Sequence, residues 1–155
     1  MNTSLILHQT ICGALAAAGF GVLFNVGFRQ LPWYATCGAV ALGVRTIFLQ
    51  LDWTLEGATF AAALTAGVAA QGLRLLRPDT AHHALDVVGC IPLVPGSFAA
   101  KTIIGLYALT SEHTPSNPEA FMVTVQYLLR VIFTLGAIGT GLAMPALLRR
   151  MRMGR

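Results

Sequence analysis

The chain has 155 residues, 55% of them hydrophobic and only 10% charged, with a mean hydropathy of +0.70. A soluble domain carries about 25% charged residues, so this composition excludes an ordinary soluble enzyme and predicts an all-α, polytopic bundle of transmembrane helices forming one domain over 1–155. The net charge of +4 gives no nucleic-acid footprint, because seven of the ten Lys and Arg lie at the ends of apolar runs, where membrane helices keep their cations.

Five apolar runs follow in order, at 5–28, 33–49, 57–73, 84–109 and 121–148, with a basic tail at 149–155. Ala14-Leu15-Ala16 in the first run looks like a cleavage site, but no positive charge precedes it, so the run is read as an uncleaved helix. Asn25 is a polar amide near the end of that helix, placed for an interhelical hydrogen bond or for a substrate contact. The second and third runs fall short of the roughly 20 residues that a crossing needs. The second also carries Arg45, so lying along the interface is its alternative to spanning. Ala58, Ala62, Ala66 and Ala70 give the third helix a smooth face, and Gly136, Gly139 and Gly141 smooth part of the fifth. Such faces bring helix backbones together, within one bundle or between chains, which leaves homo-oligomerisation open.

The fourth run contains Pro92 and Pro95-Gly96. Each proline removes a backbone donor and crowds the preceding turn, which predicts two half-helices with an unwound joint. Lipid offers the freed backbone groups no partners, so a broken helix at membrane depth lines a cavity or is buried in protein.

Counting charges tests the number of crossings. Five crossings with a cytoplasmic tail put the N-terminus outside, and Arg29, Arg74, Arg77 and the four tail arginines on the cytoplasmic side. The outer loops 50–56 and 110–119 then hold Asp52, Glu56, Glu112 and Glu119 and no Lys or Arg. Four crossings would strand Arg29 outside.

Three cations remain inside apolar runs, Arg45, Lys101 and Arg130, against a single acid, Asp86. A charge at the bilayer centre costs at least about 2.5 kcal/mol, so the surplus calls for an anion or a partner's acid. Arg45, nearest its helix end, is expected to snorkel to the outer headgroups. The half-helix after the break points a positive dipole end and free N–H groups inward. With Pro95, Gly96, Ser97 and Lys101 it forms a candidate carboxylate site that Arg130 extends. The competing reading is a structural kink that Ser97 caps. His82-His83 are interfacial or a pH-sensitive gate. Cys12, Cys37 and Cys90 form no metal or disulfide pattern and are read as packing residues. No nucleophile–base pair is present, so no catalytic residue, metal site or cofactor is expected.

The residues Gly19-Phe20, Phe24-Asn25-Val26, Arg29, Trp33, Gly43 with Arg45, the run Ile91-Pro92-Leu93-Val94-Pro95-Gly96 and the ending Gly141-Leu142-Ala143-Met144-Pro145 resemble the threonine/serine exporter superfamily. They are similar to its small split subunit of the YjjB type. The resemblance implies a bacterial inner-membrane exporter made with a larger subunit, which supplies further helices and a soluble part. It also implies a small carboxylate substrate, either succinate and related C4-dicarboxylates or threonine and serine. Some relatives carry a neutral residue near Lys101. Coulomb matching of unpaired cations favours a dianion over a zwitterion. A scaffold whose companion holds the whole pathway is the reading from another class.

Overall fold

Asn2 opens the bundle, its side-chain oxygen accepting the Leu5 N–H at 3.4 Å and so capping the first helix. The computed structural model describes residues 2–76, 85–110 and 118–153, and every regular element in them is helical. These are α1 (Thr3–Leu23), α2 (Leu31–Gln50), α3 (Leu55–Leu76), α4 (Leu85–Cys90) leading into a 3-10 turn (Ile91–Leu93), α5 (Gly96–Thr110) and α6 (Pro118–Met153). The predicted all-α bundle and the break in its fourth segment are both present. The histidine pair at 82–83, Arg77 and the loop residues Glu112 and 114–117 lie outside the described residues.

Four helices, α1, α2, α3 and α6, differ in their boundaries from expectation. The first helix stops at Leu23 rather than reaching 28, because Asn25 takes a left-handed φ of 56°. There the Val26 N–H donates to the Gly21 carbonyl and the Asn25 N–H to the Val22 carbonyl, both at 2.9 Å. This is a Schellman ending with asparagine in place of the usual glycine. Asp52, at φ 58°, ends α2 in the same way, with the Trp53 N–H on the Phe48 carbonyl and the two rings packed edge to face at 4.7 Å. The second and third helices are longer than their apolar runs, at 20 and 22 residues, about 30 and 33 Å at 1.5 Å per residue. The last helix continues to Met153, so most of the basic tail is helical.

Side-chain contacts fix the relative directions. α1 and α2 run antiparallel along their whole length, with Asn2 against Gln50, Thr10 against Gly43, Gly13 against Gly38 and Gly21 against Tyr34 and Leu31. α3 and α6 run parallel, with Ala63 against Gly141 and Gly67 against Pro145. α5 is antiparallel to α6, with Gly105 against Thr124. Successive segments therefore alternate in direction. By their positions along the helices, Arg29, Arg74 and residues 149, 150 and 152 fall at one end of the bundle, and Asp52, Glu56 and Glu119 at the other.

The interior is built from small side chains. Ala58, Ala62, Ala66 and Ala70 are all completely buried within this chain, so that face is spent on the bundle's own packing. One cluster joins Ala41, Ala62, Ala63, Ala66, Cys90, Leu93 and Ile138, and a second joins Tyr34, Cys37, Ala70, Leu85 and Val88. The break is thus seated in the core between α2, α3 and α6. Cys37 and Cys90 are buried as packing residues, whereas Cys12 is exposed.

Toward its own chain α6 offers Thr124, Tyr127, Val131, Thr134, Ile138, Gly141 and Pro145, a narrow seam at alternating spacings of three and four. Beside it Leu142 packs partly against the core; most of the remaining apolar surface is uncovered, and Gly136 and Gly139 face open space. By length and composition α1 and residues 118–148 of α6 are each able to cross a membrane, and the α4–α5 pair, bent by 59°, makes a third candidate. α2, with Arg45 and Gln50, and α3, with Glu56 and Gln71, do not reach the same apolarity.

Candidate functional site

The broken segment follows from its two prolines. Val94, which precedes Pro95, is driven out of the helical region to φ −60° and ψ 130°. Its N–H closes the 3-10 turn on the Ile91 carbonyl at 3.0 Å, and α5 restarts with the Ala99 N–H on the Pro95 carbonyl at 3.0 Å. Between these bonds the Ser97 and Phe98 N–H groups have no acceptor among the described residues, as the first turn of a helix requires. Leu93 and Pro95 are buried, while Gly96 and Ser97 are exposed. Ser97 lies one residue inside α5, so it is not the capping residue that the kink reading assigned to it.

One turn further on, Lys101 and Arg130 come together on two rings. Phe98 of α5 and Tyr127 of α6 have centroids 5.8 Å apart. The Lys101 Nζ sits 5.3 Å from the Tyr127 centroid and 6.0 Å from that of Phe98, and the Arg130 guanidinium carbon lies 5.5 Å from the Phe98 centroid. Both cations thus lie within 6.0 Å of the centroid of one ring, Phe98. Each aromatic stands three residues before its cation, Phe98-Ala99-Ala100-Lys101 on α5 and Tyr127-Leu128-Leu129-Arg130 on α6, so the two pairs share a helix face. Cation–π contact offsets part of the cost of the charges, about 0.5–2 kcal/mol each. No carboxylate pairs with either cation among the described residues, and both side chains are exposed on the surface of this chain.

Arg45 does not reach outward to headgroups as expected. It is half-buried and turned to the break, donating from Nη1 to the Leu93 carbonyl at 3.4 Å, a long bond, while its buried Nε has no acceptor. It also lines a cleft of about 430 Å³ between α1 and α2, together with Leu5, Gln9, Leu42, Thr46, Leu49 and Gln50. Two bonds hold the end of that cleft. The Asn2 N–H donates to Gln50 Oε1 at 2.7 Å, and Gln50 Nε2 donates to the Asn2 carbonyl at 3.2 Å.

Of the seven candidate residues, the structure gathers Pro95, Gly96, Ser97, Lys101 and Arg130 on the α5–α6 side of the break and puts Arg45 on its α2 side. Asn25 stands apart, exposed in the connection at the arginine-rich end, where its backbone conformation accounts for it. Sequence reasoning missed Phe98 and Tyr127; the repeated aromatic-x-x-cation pattern was the available signal. It also missed Gln9 and Gln50, which become a polar lining only once α1 and α2 pair. Among the described residues no group of three or more His, Cys, Asp and Glu could hold a metal.

A family model described as "Threonine/Serine exporter, ThrE" matches residues 9–148, from the second turn of α1 to the end of the apolar part of α6. No solved structure matches the chain.

Proposed function

The chain belongs to the threonine/serine exporter (ThrE) family, a family of membrane exporters and not of enzymes, and from that premise we propose that it is the membrane subunit of a two-component secondary exporter for C4-dicarboxylates such as succinate. The observation that carries the substrate class is the cluster of Lys101 and Arg130 on the Phe98–Tyr127 pair, two positive charges with no carboxylate beside them among the described residues. A dianion satisfies both. A zwitterion such as threonine brings its own ammonium into the same field, which costs Coulomb energy at short range in a low-dielectric site. The family description is equally compatible with threonine and serine, so the charge argument alone separates the two.

The rings supply apolar walls for a short carbon chain, the Ser97 hydroxyl and the Phe98 N–H add donors, and the joint at Pro95-Gly96 lets α5 swing against α6 as access alternates. α5 rests on α6 and is otherwise exposed, with Ile103, Ile104 and Tyr107 uncovered, so the pathway is completed by the larger companion subunit or a second copy. The pairing of α1 with α2 along their whole length supports five crossings, since α2 must span wherever α1 does. The arginine-rich end is then cytoplasmic, in a bacterial inner membrane, with the N-terminus outside.

The test is metabolite export from cells that lack their own dicarboxylate and threonine exporters and express this chain with its companion. Succinate export that needs both chains and falls in Lys101→Ala, with the complex intact, supports the reading. Threonine export alone overturns the substrate, and undiminished export in the variant moves the pathway to the companion.

A further inference from the structure

We propose that the Arg45 cleft is a second carboxylate-binding position, and that a carboxylate held there draws the guanidinium off the Leu93 carbonyl and so releases the bend of the fourth segment. The inference rests on the exporter reading above for the identity of the ligand. It rests on separate residues for the site.

The two groups that meet at this contact are both poorly satisfied. A guanidinium has five donors, and Arg45 spends one on a 3.4 Å bond while its Nε is sealed from solvent with no acceptor. No carboxylate of the described residues pairs with it. The Leu93 carbonyl, for its part, has lost the partner a continuous helix would give it, the Ser97 N–H, which itself has no acceptor. Pro95 disfavours that bond without forbidding it: its ring crowds the carbonyl four residues before it, Ile91, and biases Val94 away from the helical region, a cost that proline-kinked helices meet, while the N–H it lacks is its own. The fourth segment thus has two arrangements of comparable bonding. In the one observed it is bent by 59° with Arg45 on Leu93. In the other Ser97 takes the Leu93 carbonyl and the segment straightens.

What tips the balance is an acceptor better than a neutral carbonyl. A charge-assisted bond from guanidinium to carboxylate is shorter and about twice as strong as a neutral one. The cleft beside Arg45 has the shape and lining to bring one in. Its volume is about 430 Å³, Leu5, Leu42 and Leu49 form apolar walls, and Gln9 and Gln50 add polar groups. The Thr46 hydroxyl is committed to the Leu42 carbonyl at 2.7 Å, so the arginine is the group left to meet the ligand's charge. Arg45 stands five residues, about 8 Å of helix, from the arginine-poor end of α2. That places it nearer that end than the break, as a position on the way out of the bundle.

Amide exchange of the 94–98 segment tests this, using the complex in lipid nanodiscs with and without succinate. The Ser97 amide is expected to exchange freely in the unliganded protein and at least tenfold more slowly with succinate. Arg45→Gln removes the latch, so slow exchange without ligand and no response to it are expected. Leu49→Trp fills the cleft without touching the latch, so exchange stays fast and succinate has no effect. Lys101→Ala loses export yet keeps the succinate response, because the two positions are separate. A response that survives Arg45→Gln and disappears in Lys101→Ala overturns the cleft and leaves the exporter reading standing. An Arg45-dependent response to threonine and none to succinate overturns the dicarboxylate reading and leaves the latch. No response to either ligand in the wild type overturns the latch. A phospholipid retained by the wild type in native mass spectrometry and lost in Arg45→Gln, with no carboxylate effect, makes the occupant a lipid phosphate and overturns the carboxylate assignment.

Discussion

Gly13 of α1 and Gly38 of α2 meet backbone to backbone, so a Cβ on either would run into the other's carbonyl oxygen. Backbone cannot yield as a flexible side chain does, and overpacking of this kind costs about 1–3 kcal/mol. Gly38→Ala should therefore lower the thermal stability of the purified protein and loosen α1 from α2. Gly19 of α1 faces open space, and Gly19→Ala should be neutral or gain up to about 1 kcal/mol from helix propensity. Melting curves read by size-exclusion chromatography compare the two; equal effects would mean that α1 and α2 do not cross at Gly13 and Gly38.

Asn25 separates a conformational requirement from a chemical one. Its φ of 56° suits glycine better than any other residue, so Asn25→Gly should preserve stability and export, while Asn25→Ala should cost about 1 kcal/mol. Export that collapses in Asn25→Gly, with stability unchanged, would show that the amide itself meets the substrate.

The ring platform predicts a graded series. Tyr127→Phe keeps the face on which Lys101 rests and should leave export close to wild type, whereas Tyr127→Leu should reduce it. Arg130→Ala removes a charged donor, a loss of about 1.5–3 kcal/mol or roughly tenfold to a hundredfold in apparent affinity. Arg130→Lys keeps the charge and should recover part of it. Initial export rates across succinate concentrations read the series, and equal rates for Tyr127→Leu and Tyr127→Phe would remove the rings from the site.

How much of this was legible in the sequence depended on range. The break was, because prolines act on their own turn, and Val94 before Pro95 did what steric crowding dictates. The end of α1 was legible in principle: Asn25 beyond an apolar run is a helix stop signal. It was hidden because the flanking Phe24, Val26 and Phe28 continue the hydrophobicity. Arg45 was not legible, since its acceptor, the Leu93 carbonyl, is 48 residues away and exists as a free group only once the break has formed. The burial of Ala58, Ala62, Ala66 and Ala70 also needed the fold, because a smooth face looks the same whether its partner is the same chain or another. It follows that Ala66→Leu should disrupt the bundle itself, whereas Gly139→Leu, facing open space, should spare the bundle and weaken assembly with a companion.

The membrane crossing of α2 yields to labelling. Asn2 and Gln50 are bonded to each other, so the start of α1 and the end of α2 share one end of the bundle, and Arg29 stands at the other. With exposed Cys12 replaced by alanine, Ser4→Cys and Thr54→Cys should both react with an impermeant thiol reagent in whole cells, and Arg29→Cys should react after the membrane is opened. Protection of Ser4→Cys with reaction at Thr54→Cys would break the pairing of α1 with α2. Arg45 would then lose the position that lets it reach the break, because its contact with Leu93 depends on α2 standing upright between α1 and the fourth segment.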